Sequence, residues 1–256
     1  MFPEERYKKI SELLEEQDSV RVTELSRLLQ TSEVTVRRDL EEMERQNKLV
    51  RIHGGAVSTY LVGKADSAPE LISNETCLKE KQCICQFTYE HHVHDDDTIL
   101  TDSSSTVYEL IKLIAAGSRK NLTIVTTSPL VVRALAGKSD CKVIMLGGEF
   151  NYTHNVVEGL MVTRQIQDMR ADRCFLGVNG IDEVFGYSTP REIDAEIKMQ
   201  MIRSSRHSYF LADNTKFGKT YFSKVNAKVD FIITDEKKPN KSYSWLEGQT
   251  HLLFAK

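Results

Sequence analysis

The chain has 256 residues, 40% of them hydrophobic and 28% charged, with a formal net charge of −3. This is the composition of a soluble globular protein of one large or two smaller domains, and no run approaches the roughly 18 consecutive apolar residues of a membrane span. The charge balance excludes the strongly basic class of nucleic-acid binder, and five cysteines without a disulfide-framework spacing point to reduced thiols in the cytoplasm.

The opening MFPEERYKKISELLEE is charged and amphipathic, unlike a secretory leader. Tyr7, Ile10, Leu13 and Leu14 fall on one stripe and predict a first helix over Glu4–Glu16. Ser19–Val22 is short and β-prone, and Thr23 is placed to cap a brief second helix buried through Leu25, Leu28 and Leu29. Ser32 is the expected cap of a third helix reaching about Gln46, with Val36, Leu40 and Met43 facing inward. Ser32, Glu33, Thr35, Arg37 and Arg38 then project outward near its start. Hydroxyls and guanidinium groups at that place suit base edges and phosphates in a DNA major groove, the alternative being an ordinary solvated face. The first 58 residues carry ten basic against twelve acidic side chains, so phosphate contact would rest on local placement and not on bulk charge.

Leu49–Val57 reads as two β-prone runs joined at Gly54-Gly55. In this wing Arg51 and His53 would reach phosphates or the minor groove, unless the hairpin merely covers the core. The string Ser32-Glu-x-Thr-Val-Arg-Arg-Asp-Leu40, followed by Leu49-x-Arg51-x-His53-Gly-Gly-Ala56, resembles the signature of DeoR-type bacterial repressors. The expected organisation is a winged helix-turn-helix domain over 1–57, mainly α with a β-hairpin wing, a linker over 58–74 and a sensing domain over 75–256.

A helix is predicted from Glu75 to about Tyr89, with a polar turn over His91–Asp97. Cys77, Cys83, Cys85, His91, His92 and His94 crowd together there, but no metal is expected because helical positions 83 and 85 diverge by about 200°. Beyond Asp97 the β-prone runs Thr98–Thr101, Thr123–Thr126 and Lys142–Leu146 alternate with helical stretches Thr106–Ala116 and Pro129–Ala136. Later runs at Arg173–Val178, Ser208–Ala212 and Asp230–Thr234 extend this to an α/β domain with a mostly parallel sheet. Ligands in such sheets bind beyond the carboxyl ends of the strands. Asp102, Ser103, Ser104, Ser105 and Thr106 follow the first strand and open a helix, where orphan amides favour an anion such as phosphate. Thr126, Thr127 and Ser128 follow the second strand, Gly147 and Gly148 the third, and Asn179–Asp182 a later one. Helix capping alone would account for any one of these hydroxyls; their joint placement favours a pocket.

This half also resembles the DeoR sensor domain, through Asp102–Thr106, Leu146–Gly148, Gly177–Ile181, Gly186–Thr189, Ala195–Lys198 and Ala212–Lys216. The resemblance implies a fold similar to ribose-5-phosphate isomerase and a phosphorylated sugar as inducer. It implies that Asp102–Thr106 hold the phosphate or hydroxyls and that Asn179, Lys198, Asp213 and Lys216 contact the sugar or shape the pocket. Gly186–Pro190 and Asp213–Gly218 suggest the carbohydrate-uptake branch, with ketohexose phosphates favoured. An enzyme is not expected: Asp182 and Glu183 are reminiscent of the isomerases' acidic loop, but Asn179 stands at its first acidic position, and an amide is no base. A DNA-binding interaction protein without metabolite sensing remains the alternative from a third class. The expected partners are double-stranded operator DNA, a sugar-phosphate inducer and further copies of the chain as homodimer or homotetramer, with no cofactor and no membrane.

Overall fold

The structure, a computed structural model, describes residues 3–17, 19–45, 48–52, 54–58, 77–138, 140–237 and 243–255. The chain divides into two compact units, Met1–Leu71 and Ile72–Lys256. Among the described residues no helix is long and apolar enough to cross a membrane.

The first unit contains α1 (Pro3–Gln17), β1 (Ser19–Arg21), α2 (Val22–Leu28), α3 (Glu33–Arg45), β2 (Leu49–Ile52) and β3 (Gly55–Ser58). Its three strands form an antiparallel sheet in the order β1-β3-β2. Ile10, Leu14, Leu25, Val36, Leu40 and Met43 meet in one core, as the helical spacing requires. Two expectations for α2 need correction. The helix starts at Val22 after Arg21, with no side-chain cap. Thr23 is not needed as a cap because the wing closes the helix end: the Val22 amide donates to the Gly54 carbonyl at 2.8 Å. Leu28, expected inside, is 57% exposed, because a seven-residue helix buries its stripe through Leu25 and the following Leu29. Gly55 lets β3 approach β1, since a Cβ there would lie 2.0 Å from the Val20 carbonyl oxygen.

The second unit opens with α4 (Leu78–His92), then β4 (Thr98–Thr101), α5 (Ser105–Ala116), β5 (Leu122–Thr126), α6 (Pro129–Ala134) and β6 (Cys141–Met145). A hairpin of β7 (Glu149–Asn151) and β8 (Val156–Glu158) precedes α7 (Leu160–Gln167) and β9 (Ala171–Gly177). The chain continues through β10 (Gly180–Asp182), β11 (Gly186–Thr189), α8 (Glu192–Arg203), β12 (Ser205–Leu211), β13 (Ser223–Lys224), β14 (Phe231–Thr234) and β15 (His251–Phe254). Seven strands form one sheet in the order β15-β14-β12-β9-β4-β5-β6, and every pairing in it is parallel. Alternate residues serve opposite faces: Leu100, Leu176, Phe210 and Ile232 pack under α7 and α8, whereas Ile99, Phe175, Tyr209 and Ile233 pack under α4 and α5. Burial on both faces explains the near-continuous apolar runs.

Gly180–Asp182, read from sequence as part of a loop, form β10, which with β11 and β13 makes a small antiparallel sheet. The helix before β4 runs three residues further than expected, so His91 and His92 form its last turn and not part of a polar turn. His92 gains aromatic partners there, Tyr209 at 5.1 Å and Phe231 at 5.8 Å between ring centroids.

Burial, aided by Arg173 and the neighbouring histidines, pushes the His92 imidazole down to about 4. Between that value and the ordinary one near 6.5 the unfolded chain binds the extra proton, so His92 makes stability rise with pH across this window. Denaturant titrations from pH 4 to 7 should show that rise, and His92→Phe should flatten it.

Candidate functional site

In the first unit, the start of α3 is built for exposure. The Ser32 hydroxyl accepts the Thr35 amide at 3.2 Å and lies 2.9 Å from the Thr35 hydroxyl, so Ser32 caps the helix and the two expected contact residues hold each other. Arg37 and Arg38 are exposed; Arg37 leans on Glu33 at 3.5 Å, while Arg38 has no ion-pair partner among the described residues. Val34, absent from the sequence-based set, stands 64% exposed among them, an apolar surface suited to a thymine methyl. Its exposure on the second residue of α3 was the available signal. Arg51 is half-buried: its amide donates to Glu44 and its guanidinium to Glu41, both at 2.9 Å, which ties the wing to α3. His53 lies outside the described residues, as does most of the expected linker.

What aims α3 is a buried pair that sequence reading missed. Arg6 of α1 grips Asp39 of α3 through two bonds, Nε to Oδ2 at 2.5 Å and Nη2 to Oδ1 at 2.8 Å. Both side chains are nearly buried, and a bidentate guanidinium–carboxylate pair fixes orientation as well as distance.

In the second unit the topology selects the site. The chain leaves β4 toward β5 and β6, but leaves the adjacent β9 toward β12, β14 and β15, so the carboxyl ends of β4 and β9 flank the point where the strand order reverses. Asp102 sits there, buried, and holds three elements. Its Oδ1 accepts the Ser104 amide at 2.9 Å, its Oδ2 accepts the Gly177 amide of β9 at 2.9 Å, and the buried Lys198 ammonium of α8 donates to the same Oδ2. Gly177 is required, because a Cβ would lie 2.4 Å from the Ser104 Cβ. Ser104 caps α5, accepting the Val107 amide, while Ser103 and Ser105 are partly exposed and Thr106 is buried. The first-turn amides of Ser105 and Thr106 have no intrahelical acceptor, the arrangement that favours an anion.

Around this centre α8 presents Arg191, Asp194 and Lys198 at i, i+3 and i+7 on one face. Arg191 donates to Glu158 of β8, which also accepts from Asn151 at 2.8 Å. Burial alone would raise the Glu158 carboxyl, but these bonds outweigh it and hold it below the usual carboxylate range. Asp194 goes the other way: burial holds it above that range against the pull of Lys198 and Arg191. Arg191, Glu158 and Asp194 were missed from sequence, since their pairing depends on where the β7–β8 hairpin lies.

The remaining predicted residues all follow strand ends, with different partners. Thr126 accepts the Ser128 amide at 3.1 Å through its hydroxyl, and the Thr127 carbonyl accepts the Val157 amide of β8 at 2.8 Å. Gly147 is clamped at both its amide and its carbonyl by Gln165 of α7, and Gly148 packs so closely that a Cβ would lie 2.6 Å from the Glu158 carbonyl oxygen. The Asn179 amide oxygen accepts the Thr189 hydroxyl at 3.0 Å. Asp213 is buried beyond β12, accepts the Thr215 amide at 2.9 Å and faces the Lys216 ammonium at 4.0 Å. Asp235, another missed residue, holds the intervening Asn214 through its amide at 2.7 Å and its side chain at 3.0 Å.

Asp182 spends its Oδ1 on the Val184 and Phe185 amides at 3.0 and 2.8 Å, making it a turn-forming carboxylate. Among the described residues no group of three or more His, Cys, Asp and Glu side chains is arranged to hold a metal ion. Cys83 and Cys85 donate to the Ala255 and Thr106 carbonyls. A cavity of about 630 Å³ beside β15, lined by Tyr243, Leu246, His251 and Phe254, shares no residue with the β4–β9 crevice.

Comparison with known proteins agrees with this division. Residues 6–60 match the DeoR-like helix-turn-helix domain, and residues 76–236 match the DeoR C terminal sensor domain. The HTH-type transcriptional repressor GlcR of Bacillus subtilis is 30% identical over 95% of this chain and 92% of its own length. The uncharacterized HTH-type transcriptional regulator YulB of the same organism is 32% identical over 97% and 95%, and the HTH-type transcriptional regulator GolR of Listeria innocua is 30% identical over 93% and 92%. Among solved structures, ribose 5 phosphate isomerase A from Neisseria gonorrhoeae is similar over 54% of this chain and 52% of its own, with 16% identity and a TM-score of 0.38.

The Asp102–Lys198 pair predicts a non-additive mutant cycle. Lys198→Met should lower the unfolding free energy by about 3–5 kcal/mol by leaving a buried carboxylate unpaired, and adding Asp102→Asn should restore most of it. Gly177→Ala should cost about 1–3 kcal/mol by displacing Ser104. Urea titrations of wild type, Lys198→Met, Asp102→Asn, the double variant and Gly177→Ala check these expectations.

Proposed function

The chain belongs to the DeoR family of transcriptional regulators, and from that premise we propose that it represses a carbohydrate uptake or catabolism operon and is released from operator DNA by a phosphorylated sugar. The observation that carries this reading is the buried Asp102–Lys198 pair at the strand-order reversal, beside the serine-rich turn that opens α5. A phosphate fits the free amides of that turn, and the carboxylate, ammonium and Asn179 amide suit sugar hydroxyls. Thr126, Thr127, Gly147, Gly148, Asp213 and Lys216 complete the rim. The Asp182 carboxylate is committed to its own turn, which supports sensing over isomerisation.

On the DNA side, Ser32, Val34, Thr35, Arg37 and Arg38 read the major groove. Arg51 and His53 support or extend the wing. Repression is lifted by a population shift, which requires the inducer to bind the DNA-incompetent arrangement more tightly than the competent one. The operative unit is a homodimer or homotetramer in the cytoplasm, matched to operator symmetry. Domain limits at 1–57, 58–74 and 75–256 follow the same division of labour, and ketohexose phosphates head the list of inducers.

Two measurements test the reading. In gel-shift titrations against the DNA upstream of its own operon, Arg37→Ala with Arg38→Ala should weaken binding by about 1–3 kcal/mol; unchanged binding would remove the recognition-helix assignment. In a thermal-shift screen, one sugar phosphate at 100 times its Kd should add about 2.7 kcal/mol where the free sugar adds nothing. Asp102→Ala should abolish that response while still binding DNA, and a response to no phosphate would defeat the sensor assignment.

A further inference from the structure

One exposed apolar corner of the second unit has no place in the site drawn so far. Met145, Phe150, Tyr152, Leu160 and Met161 gather where β6 ends. Tyr152 is 88% exposed, Leu160 65% and Met161 58%, and Met145 and Phe150 are each more than a third exposed. Contacts between their segments make them neighbours in space. The Gln165 side chain of α7 binds the amide and carbonyl of Gly147, which lies between Met145 and Phe150, and donates to the Met161 carbonyl at 2.9 Å. A Cβ on Gly159, next to Leu160, would lie 3.7 Å from the carboxyl carbon of Glu149, next to Phe150. Phe150 and Tyr152 meet edge to face with ring centroids 4.9 Å apart, and the intervening Asn151 is pinned by its 2.8 Å bond to Glu158. The apolar surface is thus held outward on a supported hairpin and helix start.

The same corner runs into an open sheet edge. Among the described residues β6 pairs with β5 on one side and with no strand on the other. The Leu122 amide reaches the Asp140 carbonyl and the Leu146 amide the Thr126 carbonyl, so the even-numbered residues of β6 face β5 and the backbone groups of Val143 and Met145 point away from it. A bare edge flanked by apolar side chains is a template for another chain. Around it Lys142, Glu149 and Arg164 are exposed, a rim of both signs. At roughly 200 Å² for a fully exposed large side chain, the five apolar residues present on the order of 600 Å², the upper end of what a monomer leaves open. Two such patches face to face bury about 1,200 Å², the lower bound of a specific interface before rim and strand edge are counted.

We propose that a second copy of this chain docks on this corner about a two-fold axis, with Tyr152 and Leu160 as its anchors. A rim of both signs matches itself on such a rotation, Glu149 of one protomer meeting Lys142 or Arg164 of its partner, whereas a polyanion would leave Glu149 facing like charge. The assignment rests on the homo-oligomer proposed above and gives it a surface. It also places the contact on the β7–β8 hairpin, whose Glu158 takes Arg191 of α8, so that interface and crevice share one element.

Sedimentation velocity of the full-length protein over a concentration series reads the association. Wild type should be an oligomer, and Tyr152→Glu with Leu160→Glu should weaken one assembly step about a hundredfold or more, to monomer from a dimer or to dimer from a tetramer. Both side chains face solvent in the single chain, so circular dichroism should be unchanged. Val184→Glu, which puts the same charge on the 93% exposed tip of the β10–β11 turn, should associate as wild type does. In wild type alone, raising the concentration through the transition should slow amide exchange over residues 143–152, a readout that needs no variant to fold. Association of the double variant equal to wild type, or an equal loss in Val184→Glu, overturns this surface and leaves the homo-oligomer standing. Exchange over 143–152 that ignores association does the same. A monomeric wild type overturns the homo-oligomer, and this surface with it.

Discussion

A carboxylate buried where the strand order reverses organises the sensing unit. Asp102 cannot be left alone in that environment, since an unpaired buried charge costs several kcal/mol. Its two oxygens therefore accept three bonds, from the turn before α5, the end of β9 and the ammonium of Lys198 on α8. Three elements far apart in the chain acquire a common origin of coordinates. The crevice owes its shape to that requirement: α8 must bring Lys198 in, and Gly177 must lack a side chain so that Ser104 can close over it.

The loops around this centre are held by the same kind of commitment. Glu158 joins β8 to the start of α8 through Arg191, Gln165 brackets the backbone of Gly147, and the Thr127 carbonyl is taken by Val157. The β5 and β6 ends are thus coupled through the β7–β8 hairpin to the helix that carries Lys198. On the far side, Asp235 and Asp213 fix the turn after β12. A site supported by paired backbone and side-chain groups is rigid before any ligand enters, the condition under which binding free energy is not lost to ordering the loops.

The DNA-binding unit uses a related device with a different purpose. The Arg6–Asp39 pair sets the angle between α1 and α3 and so the aim of the exposed helix face, while Glu41 and Glu44 attach Arg51 and the wing to the other side of α3. Acidic residues of α3 are spent inward and sideways. The exposed start of the helix carries Ser32, Val34, Arg37 and Arg38, with Glu33 as its one acid and paired to Arg37, so a unit with more acids than bases still presents a local surface fit for phosphates and base edges.

Much of this was legible in the amino-acid order because it is local. The inward stripe of Val36, Leu40 and Met43, the Ser32 cap and the alternation of strands with helices depend on residues within a few positions of each other, and the structure has them as read. The hydroxyl and glycine loops after β4, β5 and β6 were legible for the same reason: each follows its strand directly. Thr23 lost its capping role, and Leu28 its burial, to contacts made by the wing and by the shortness of α2. Gly180–Asp182 became a strand because a partner, β11, lies beside them. The sequence by itself determined two domain types, the periodicity of their elements and the ends where polar loops gather. Only the tertiary structure decided that Lys198 meets Asp102 across 96 positions and that Arg6 meets Asp39 across 33. The reason is that spacing along one helix or strand is set by the backbone's own geometry, whereas the partner of a buried charge is set by strand order and helix placement, which the whole chain must settle together.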